Sequence, residues 1–373
     1  MPQIPFQALS IDHNHIRQKY HESLQRVLEH GQFIGGPESK LLSTVLTNFL
    51  SVPYTHLCSS GTAALVTSLI ALRLPSRSFI AVPSLTWIGT ANAVLAAGHI
   101  PYFCDVDDHF CITVDSLHKA FEYGVSCVIY VSFTGVLSPR ALTIKEICNQ
   151  HGIALVEDAA QSFGSYVIDS FDKKRLSGSI GDISAISINP MKVFCSLTEA
   201  GAVFTSNSSY HAQILRYINQ GLDKSRLNQP EDGQNYRLST LAAAFALDSF
   251  DDLPARIARR RFIAQFYDNA LSGFCKTPYS YERSYHTYYT YTILTPHRDG
   301  LRDYLHSCQI QTRLNHLPLL NCFKKFASYP SSVTQSNQSL IDSQLICLPC
   351  NNSMSDDDIR YVCESVAKFF STV

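Results

Sequence analysis

The sequence predicts a doubly wound α/β protein: a large domain built on a mainly parallel sheet, followed by a smaller C-terminal α+β domain. Three observations carry this. Short β-branched runs alternate with helical patterns over most of residues 50–206, as strand–helix–strand crossovers require. After about residue 207 the pattern changes to long helical stretches and an aromatic segment. Finally, 373 residues exceed what one minimal core needs, so two lobes are expected. The expected division is residues 1–240, with an N-terminal arm, and residues 241–373.

The expected strands are "THLC" (55–58), "FIAVP" (79–83), "IPYFCDV" (100–106), "CVIYVSF" (127–133), "IALVED" (153–158), "ISAISI" (183–188) and "GAVFTS" (201–206). Helix-like segments such as "TAALVTSLIALRL" and "ALTIKEICNQHG" lie between them. The turn-forming stretch 223–235 predicts an exposed loop before the helix "LSTLAAAFALDSF". An Arg-rich helix over 254–271, the aromatic run "YHTYYTYTIL" and a last helix around 355–370 complete the chain.

Composition excludes several classes. Hydrophobic residues at 45% and charged residues at 16% describe a globular chain with a sizeable core. A net charge of −1 and scattered basic residues do not suit a nucleic-acid partner. The first thirty residues lack a charged start and a continuous apolar run, and no later run approaches the ~18 apolar residues of a membrane span. A soluble, cytoplasmic protein without a membrane partner is expected. Twelve cysteines, spread through apolar contexts, suit reduced buried thiols. The pair Cys347-Leu-Pro-Cys350 has redox or zinc spacing, but no second such pair or His pair accompanies it, so no metal is expected.

Ligands of an open parallel sheet collect beyond the carboxyl ends of its strands, and four stretches emerge there. "CSSGTAAL" (58–65) runs through Ser60 and Gly61 into a helix near Thr62, which suits either a phosphate seat or an ordinary N-cap. "VPSLTWIGTANAV" (82–94) places the only tryptophan, Trp87, where it serves either the core or a flat ligand. "ALVEDAAQSFGS" (154–165) delivers Glu157 and Asp158 to a strand end, with Gln161 one turn later, and a carboxylate there calls for a cationic partner. "GSIGDISAISINPMK" (178–192) brings Lys192 to the same edge, either solvated with its stem packed or desolvated as a nucleophile and base. Together the four complement a phosphate, a flat ring, a protonated ring nitrogen and an aldehyde, which are the parts of pyridoxal 5'-phosphate.

These motifs, with "GQFIGGPESKLL" (31–42), "GQNYRLSTLAAA" (233–244), "HTYYTYTIL" (286–294) and "IQTRLNHLPLL" (310–320), make the chain resemble the DegT/DnrJ/EryC1/StrS sugar aminotransferases along nearly its whole length. The resemblance implies the aspartate-aminotransferase fold and pyridoxal phosphate, with pyridoxamine phosphate as the alternate form. By the same resemblance Lys192 would hold the cofactor covalently and carry a proton, and Asp158 would pair with the ring nitrogen. Gln161 would face the ring hydroxyl, Trp87 would stack on the ring, and Thr62, Ala63 and Ser187 would hold the phosphate. Asn235 would reach the neighbouring subunit's phosphate, making a homodimer with shared active sites. The implied substrates are a nucleotide-linked keto-sugar and an amino-acid donor, usually glutamate, in amino-sugar biosynthesis for lipopolysaccharide or another polysaccharide. Arg237 is a candidate for a donor carboxylate or a phosphate, and His316 for the sugar.

Three positions depart from the family pattern: Ala200 where glycine is usual, Leu317 where tyrosine is common, and Asn189 where histidine is frequent. They bear on the substrate, and at Ala200 on a backbone that normally has glycine's freedom. Alternatives are a sugar dehydratase of the same family, whose members tend to carry histidine in place of the lysine, and a pyridoxal-phosphate-binding regulatory protein without turnover. A dinucleotide-binding dehydrogenase would need G-x-G-x-x-G after the first strand, which "SSGTAA" lacks.

Overall fold

A computed structural model describes residues 3–11, 14–223, 225–278 and 281–372. Its main sheet has seven strands, in the spatial order Tyr54–Cys58, Gly201–Thr205, Ile183–Ser187, Ala154–Asp158, Cys127–Val131, Phe79–Pro83 and Ile100–Cys104. These are the seven runs expected from the sequence, a residue or two shorter at some ends and one residue longer at the start of Tyr54–Cys58. Neighbouring strands from Ile183–Ser187 to Ile100–Cys104 are parallel, while Gly201–Thr205 runs antiparallel to both of its neighbours.

The strands are apolar on both faces because helices cover both. Val82, Ile129, Val131 and Val156 pack on one side with the helix Gly61–Ala71, and Ala81, Val128, Tyr130 and Leu155 pack on the other with Leu117, Ile144 and Cys148. This alternation follows from the period-two geometry of a strand. At the end of Ala154–Asp158 it sends Asp158 to the face of Val156 and Glu157 to the face of Leu155.

The rest of the chain adds a second core. Tyr267, on the helix Leu253–Leu271, packs with Tyr291, Ile346 and Val362, which come from the antiparallel pair Tyr291–Leu294 and Leu345–Leu348 and from the last helix, Asp356–Phe370. Ile4 of the N-terminal arm joins this core. The helix Thr240–Asp251 contributes Ala242, Ala243 and Ala246 to the cluster of Leu42, Leu46 and Ile188. A three-stranded sheet of Tyr166–Ile168, Lys174–Leu176 and Ser284–Tyr285 was not foreseen, since two- and three-residue strands leave too little periodicity to read. The stretch 223–235 has no helix or extended strand among its described residues, and Lys224 lies outside them.

All twelve cysteines are unpaired. Cys347 and Cys350 are buried, and desolvation pushes both thiols up to about 11, which leaves them neutral at physiological pH. Among the described residues no cluster of His, Cys, Asp and Glu is arranged for a metal ion, and no helix is long and apolar enough to cross a membrane.

Candidate active site

Four chain ends meet at one edge of the sheet. The carboxyl ends of Tyr54–Cys58 and Ile183–Ser187 lie opposite the start of Gly201–Thr205, with both Cys58 and Ser187 registered against Gly201. Asp158 closes the neighbouring strand. The helix Gly61–Ala71 starts against this edge so tightly that side chains are excluded. A Cβ on Gly61 would come 2.7 Å from the Ser187 Cβ, and one on Gly201 would come 2.5 Å from the Ser60 carbonyl oxygen. Ser60 is also an N-cap, accepting from the Ala63 amide at 3.0 Å.

Beyond this edge lies a cavity of about 680 Å³, within the usual range for a cofactor-sized ligand. Thr62, Trp87, Asp158, Gln161, Ser187, Lys192 and His316 all line it. Ala63 is buried behind the helix start. Asn235 and Arg237 are not in its lining. Arg237 donates to the Asn235 side chain at 3.2 Å and lines a separate surface cavity of about 690 Å³ with Arg216 and Arg226.

Asp158 is buried and oriented by two neutral donors. The Thr90 hydroxyl donates to Oδ2 at 3.0 Å and the Ala160 amide to Oδ1 at 3.1 Å. Desolvation lifts its carboxyl above the ordinary aspartate value, against the lowering pull of those donors and of the Lys192 charge. Glu157 corrects a sequence expectation, because its partners are not cationic. It accepts from the Gly178, Ile180 and Gly181 amides and from the Ser177 and Ser184 hydroxyls, on the opposite face of the sheet. Its carboxyl too is raised, by desolvation above all.

Lys192 sits in an excursion that begins with an Asx turn, in which the Met191 amide donates to Asn189 Oδ1 at 2.9 Å and the Lys192 amide to the Asn189 carbonyl at 2.9 Å. Its Nζ lies 4.4 Å from the centroid of the Tyr289 ring. Asn189 also donates to Glu199 across the same excursion. Gln161 accepts from the Thr134 amide at 3.0 Å and meets His316 Nε2 at 3.3 Å. Desolvation, helped by the Lys192 charge, pushes His316 down to about 3, so its imidazole is neutral. Trp87 is 58% exposed, lines the cavity and packs edge-on to His316 at 5.5 Å.

The residue types fit pyridoxal phosphate. A helix N-terminus with adjacent hydroxyls at Ser60, Thr62 and Ser187 suits the phosphate. The desolvated Asp158 suits a cationic ring nitrogen, and the exposed Trp87 face suits a flat ring. The departures from the family pattern are accommodated. Ala200 is fully buried among apolar neighbours and does not take a positive φ, whereas the neighbouring Gly201 is the position with no room. Leu317 packs against the apolar cluster of Phe6, Leu85 and Phe133 and is not in the cavity lining.

Several cavity residues carried no individual assignment from sequence: Thr90, Tyr289, Arg313 and Asn315. For Thr90 a signal existed, since Thr86 and Thr90 lie four residues apart on either side of Trp87 at a helix start, and their hydroxyls meet at 3.1 Å. Tyr289 and Arg313 arrive through tertiary packing.

A doubly wound α/β fold with a lysine and a buried aspartate on one cavity at the strand ends defines a pyridoxal-phosphate enzyme of the aspartate-aminotransferase fold. The chain belongs to the DegT/DnrJ/EryC1/StrS aminotransferase family, whose model matches residues 14–367. It is 28% identical, over 97% of its length and 99% of the relative's, to the UDP-2-acetamido-2-deoxy-3-oxo-D-glucuronate aminotransferase of Pseudomonas aeruginosa. It is 28% identical to the GDP-perosamine synthase of Escherichia coli O157:H7, over 86% of each chain. Among solved structures, a DegT/DnrJ/EryC1/StrS aminotransferase from Brucella abortus superposes with a TM-score of 0.92 at 25% identity, covering 98% of this chain and 99% of that one. NtdA from Bacillus subtilis, solved with bound pyridoxamine phosphate, superposes with a TM-score of 0.89 at 25% identity, covering 100% and 86% of the two chains. The protein is thus a pyridoxal-phosphate-dependent sugar aminotransferase.

Proposed function

We propose that the protein transfers an amino group from glutamate to the carbonyl carbon of a nucleotide-linked keto-sugar. The observation that carries this is the presence of Lys192 and the desolvated Asp158 on one cavity. When bound, the cofactor supplies an aldehyde that takes up the amino group and a ring that accepts electrons. Lys192 would hold that aldehyde and then, as a free amine, carry the proton between substrate and cofactor carbons. Asp158, fixed by Thr90 and the Ala160 amide, would keep a proton on the ring nitrogen. Gln161 would face the ring hydroxyl, Trp87 would cover the ring, and Thr62, Ala63 and Ser187 would seat the phosphate.

The substrate class rests on the relatives. The Pseudomonas and Escherichia proteins are named for UDP- and GDP-linked sugars, and a Bacillus subtilis relative, 29% identical over 67% of this chain and 55% of its own, is named for glutamate. Lys192 speaks against the dehydratase alternative. The amino sugar is read as a precursor of lipopolysaccharide or another polysaccharide. Twelve unpaired cysteines support a cytoplasmic setting. A homodimer is also part of this reading: Asn235 is exposed and outside its own cavity, as a residue serving a neighbour's phosphate must be. In this reading the large and small domains divide at 240/241. The second core, drawn mainly from residues 263–369, supports a separate small domain, while Ala242, Ala243 and Ala246 pack with the large one.

The test is the half-reaction. L-Glutamate added to the purified holoenzyme should convert the absorbance of the aldehyde form of the cofactor to that of its amine form, and borohydride should fix the cofactor to the peptide containing Lys192. A holoenzyme whose spectrum responds to no amino acid favours the non-catalytic binding protein, and an adduct on another peptide removes Lys192 from its role.

A further inference from the structure

The N-terminal arm contacts Arg313, a residue that lines the active-site cavity. Residues 3–7 run beside Ile310–Gln311: the Ile4 amide donates to the Gln309 carbonyl at 2.9 Å, and the Gln311 amide to the Ile4 carbonyl at 3.0 Å. The Phe6 amide donates to Gln311 Oε1 at 3.0 Å, Asn351 donates to the Pro5 carbonyl at 2.9 Å, and Ile4 and Phe6 are both buried. The arm is therefore an anchored element.

Its inner end grips Arg313. The Arg313 guanidinium lies 4.9 Å from the centroid of the Phe6 ring, and its Nη1 donates to Gln7 Oε1 at 3.2 Å. Gln7 in turn donates to the carbonyl of Met191, the residue before Lys192, at 3.4 Å. The Arg313 backbone is fixed by reciprocal bonds with Cys347, at 3.1 and 2.8 Å. Arg313 lines the Lys192 cavity, and no ion pair joins it to a described carboxylate. Glu199, on the same cavity, is engaged by Asn189.

A guanidinium held on an aromatic face, with one of its five donors used by a neutral amide, is a preorganised fork for an oxyanion. We propose that Arg313, positioned by Phe6 and Gln7, is the oxyanion-recognition residue of this cavity and receives a carboxylate or phosphate of the substrate. This rests on the aminotransferase reading, in which donor and acceptor share one site and both carry oxyanions. The Gln7 link to the Met191 carbonyl couples the fork to the Lys192 excursion, so an anion seated on Arg313 is aligned with the reacting amine.

Calorimetric titration of the holoenzyme with glutarate, a dicarboxylate without an amine, and with UDP tests it. Arg313→Met should weaken at least one probe roughly 10- to 100-fold and flatten its salt dependence, with partial recovery in Arg313→Lys. Gln7→Leu should weaken the same probe about 2- to 10-fold, and it keeps the test decidable if Arg313→Met folds poorly. A loss confined to glutarate assigns the donor carboxylate, one confined to UDP assigns the nucleotide, and a loss of both assigns a shared fork. Wild-type affinity for both probes retained within about twofold in Arg313→Met and Gln7→Leu overturns the proposal, as does a wild-type protein that binds neither. If both probes respond to the substitutions while the wild type transfers no amino group from glutamate, the aminotransferase reading fails and the anion fork stands.

Discussion

Thr90 donates its hydroxyl to Asp158 Oδ2 at 3.0 Å, so the residue that steadies the buried carboxylate comes from the helix Ile88–Ala96, beside Trp87. Thr90→Val should drive the carboxyl further from its ionised form and weaken cofactor binding by about 1 kcal/mol, or 5- to 10-fold, with recovery in Thr90→Ser. Titration of the cofactor-free protein with pyridoxal phosphate measures it. Equal affinity in the two variants would separate the hydroxyl from the carboxylate's function.

The raised carboxyl of Asp158 sets a sign for pH. Desolvation is the main cause, so the folded state favours the protonated form; the stability this contributes is fully present below the ordinary aspartate value and is lost as pH rises through the raised one. Cofactor-free Asp158→Asn should therefore melt at or above the wild type at neutral pH, with the gap closing in acid. The opposite ordering across the same pH range contradicts the burial argument.

Glu157 is structural in this fold. Five donors converge on it, and Glu157→Ala would leave them unsatisfied in the core at a cost of about 3–5 kcal/mol. Denaturant unfolding of the two neighbours at neutral pH makes the contrast: a large loss for Glu157→Ala and none for Asp158→Asn.

Gly201 and Ala200 should behave oppositely. A methyl on Gly201 meets the Ser60 carbonyl at 2.5 Å, in backbone that cannot yield, so Gly201→Ala should destabilise by about 1–3 kcal/mol and disturb the phosphate seat. Ala200→Gly loses only buried methyl packing and backbone restraint, about 1 kcal/mol. Melting temperature and cofactor affinity, measured together, check the pair.

The proposed dimer predicts complementation. Mixed Lys192→Ala and Asn235→Ala chains should regain activity, because one site in the heterodimer keeps both residues. Exchange of subunits without any recovery rules out the shared site.

Much of this architecture was legible because strands buried on both faces announce themselves as apolar runs, and the seven that did so form the main sheet. The edge residues followed, since Asp158, Gln161, Ser187 and Lys192 each come just at or after a strand end. What escaped was long-range. The separate fates of Glu157 and Asp158 follow from strand alternation with Leu155 and Val156, but the five donors around Glu157 come from the 177–184 segment, whose path no periodicity reveals. Arg313, which lines the cavity, is fixed there by bonds to Cys347 and Gln7, partners far from it in sequence and beyond any local pattern.

The antiparallel strand Gly201–Thr205 has one more consequence. Because it starts where Ile183–Ser187 stops, residues 188–200 leave and return at the same rim, and Lys192 hangs from a closed loop moored at both ends. An inserted or deleted residue anywhere in that loop would pull the amine from two directions at once, so its length is held as tightly as any side chain in the site.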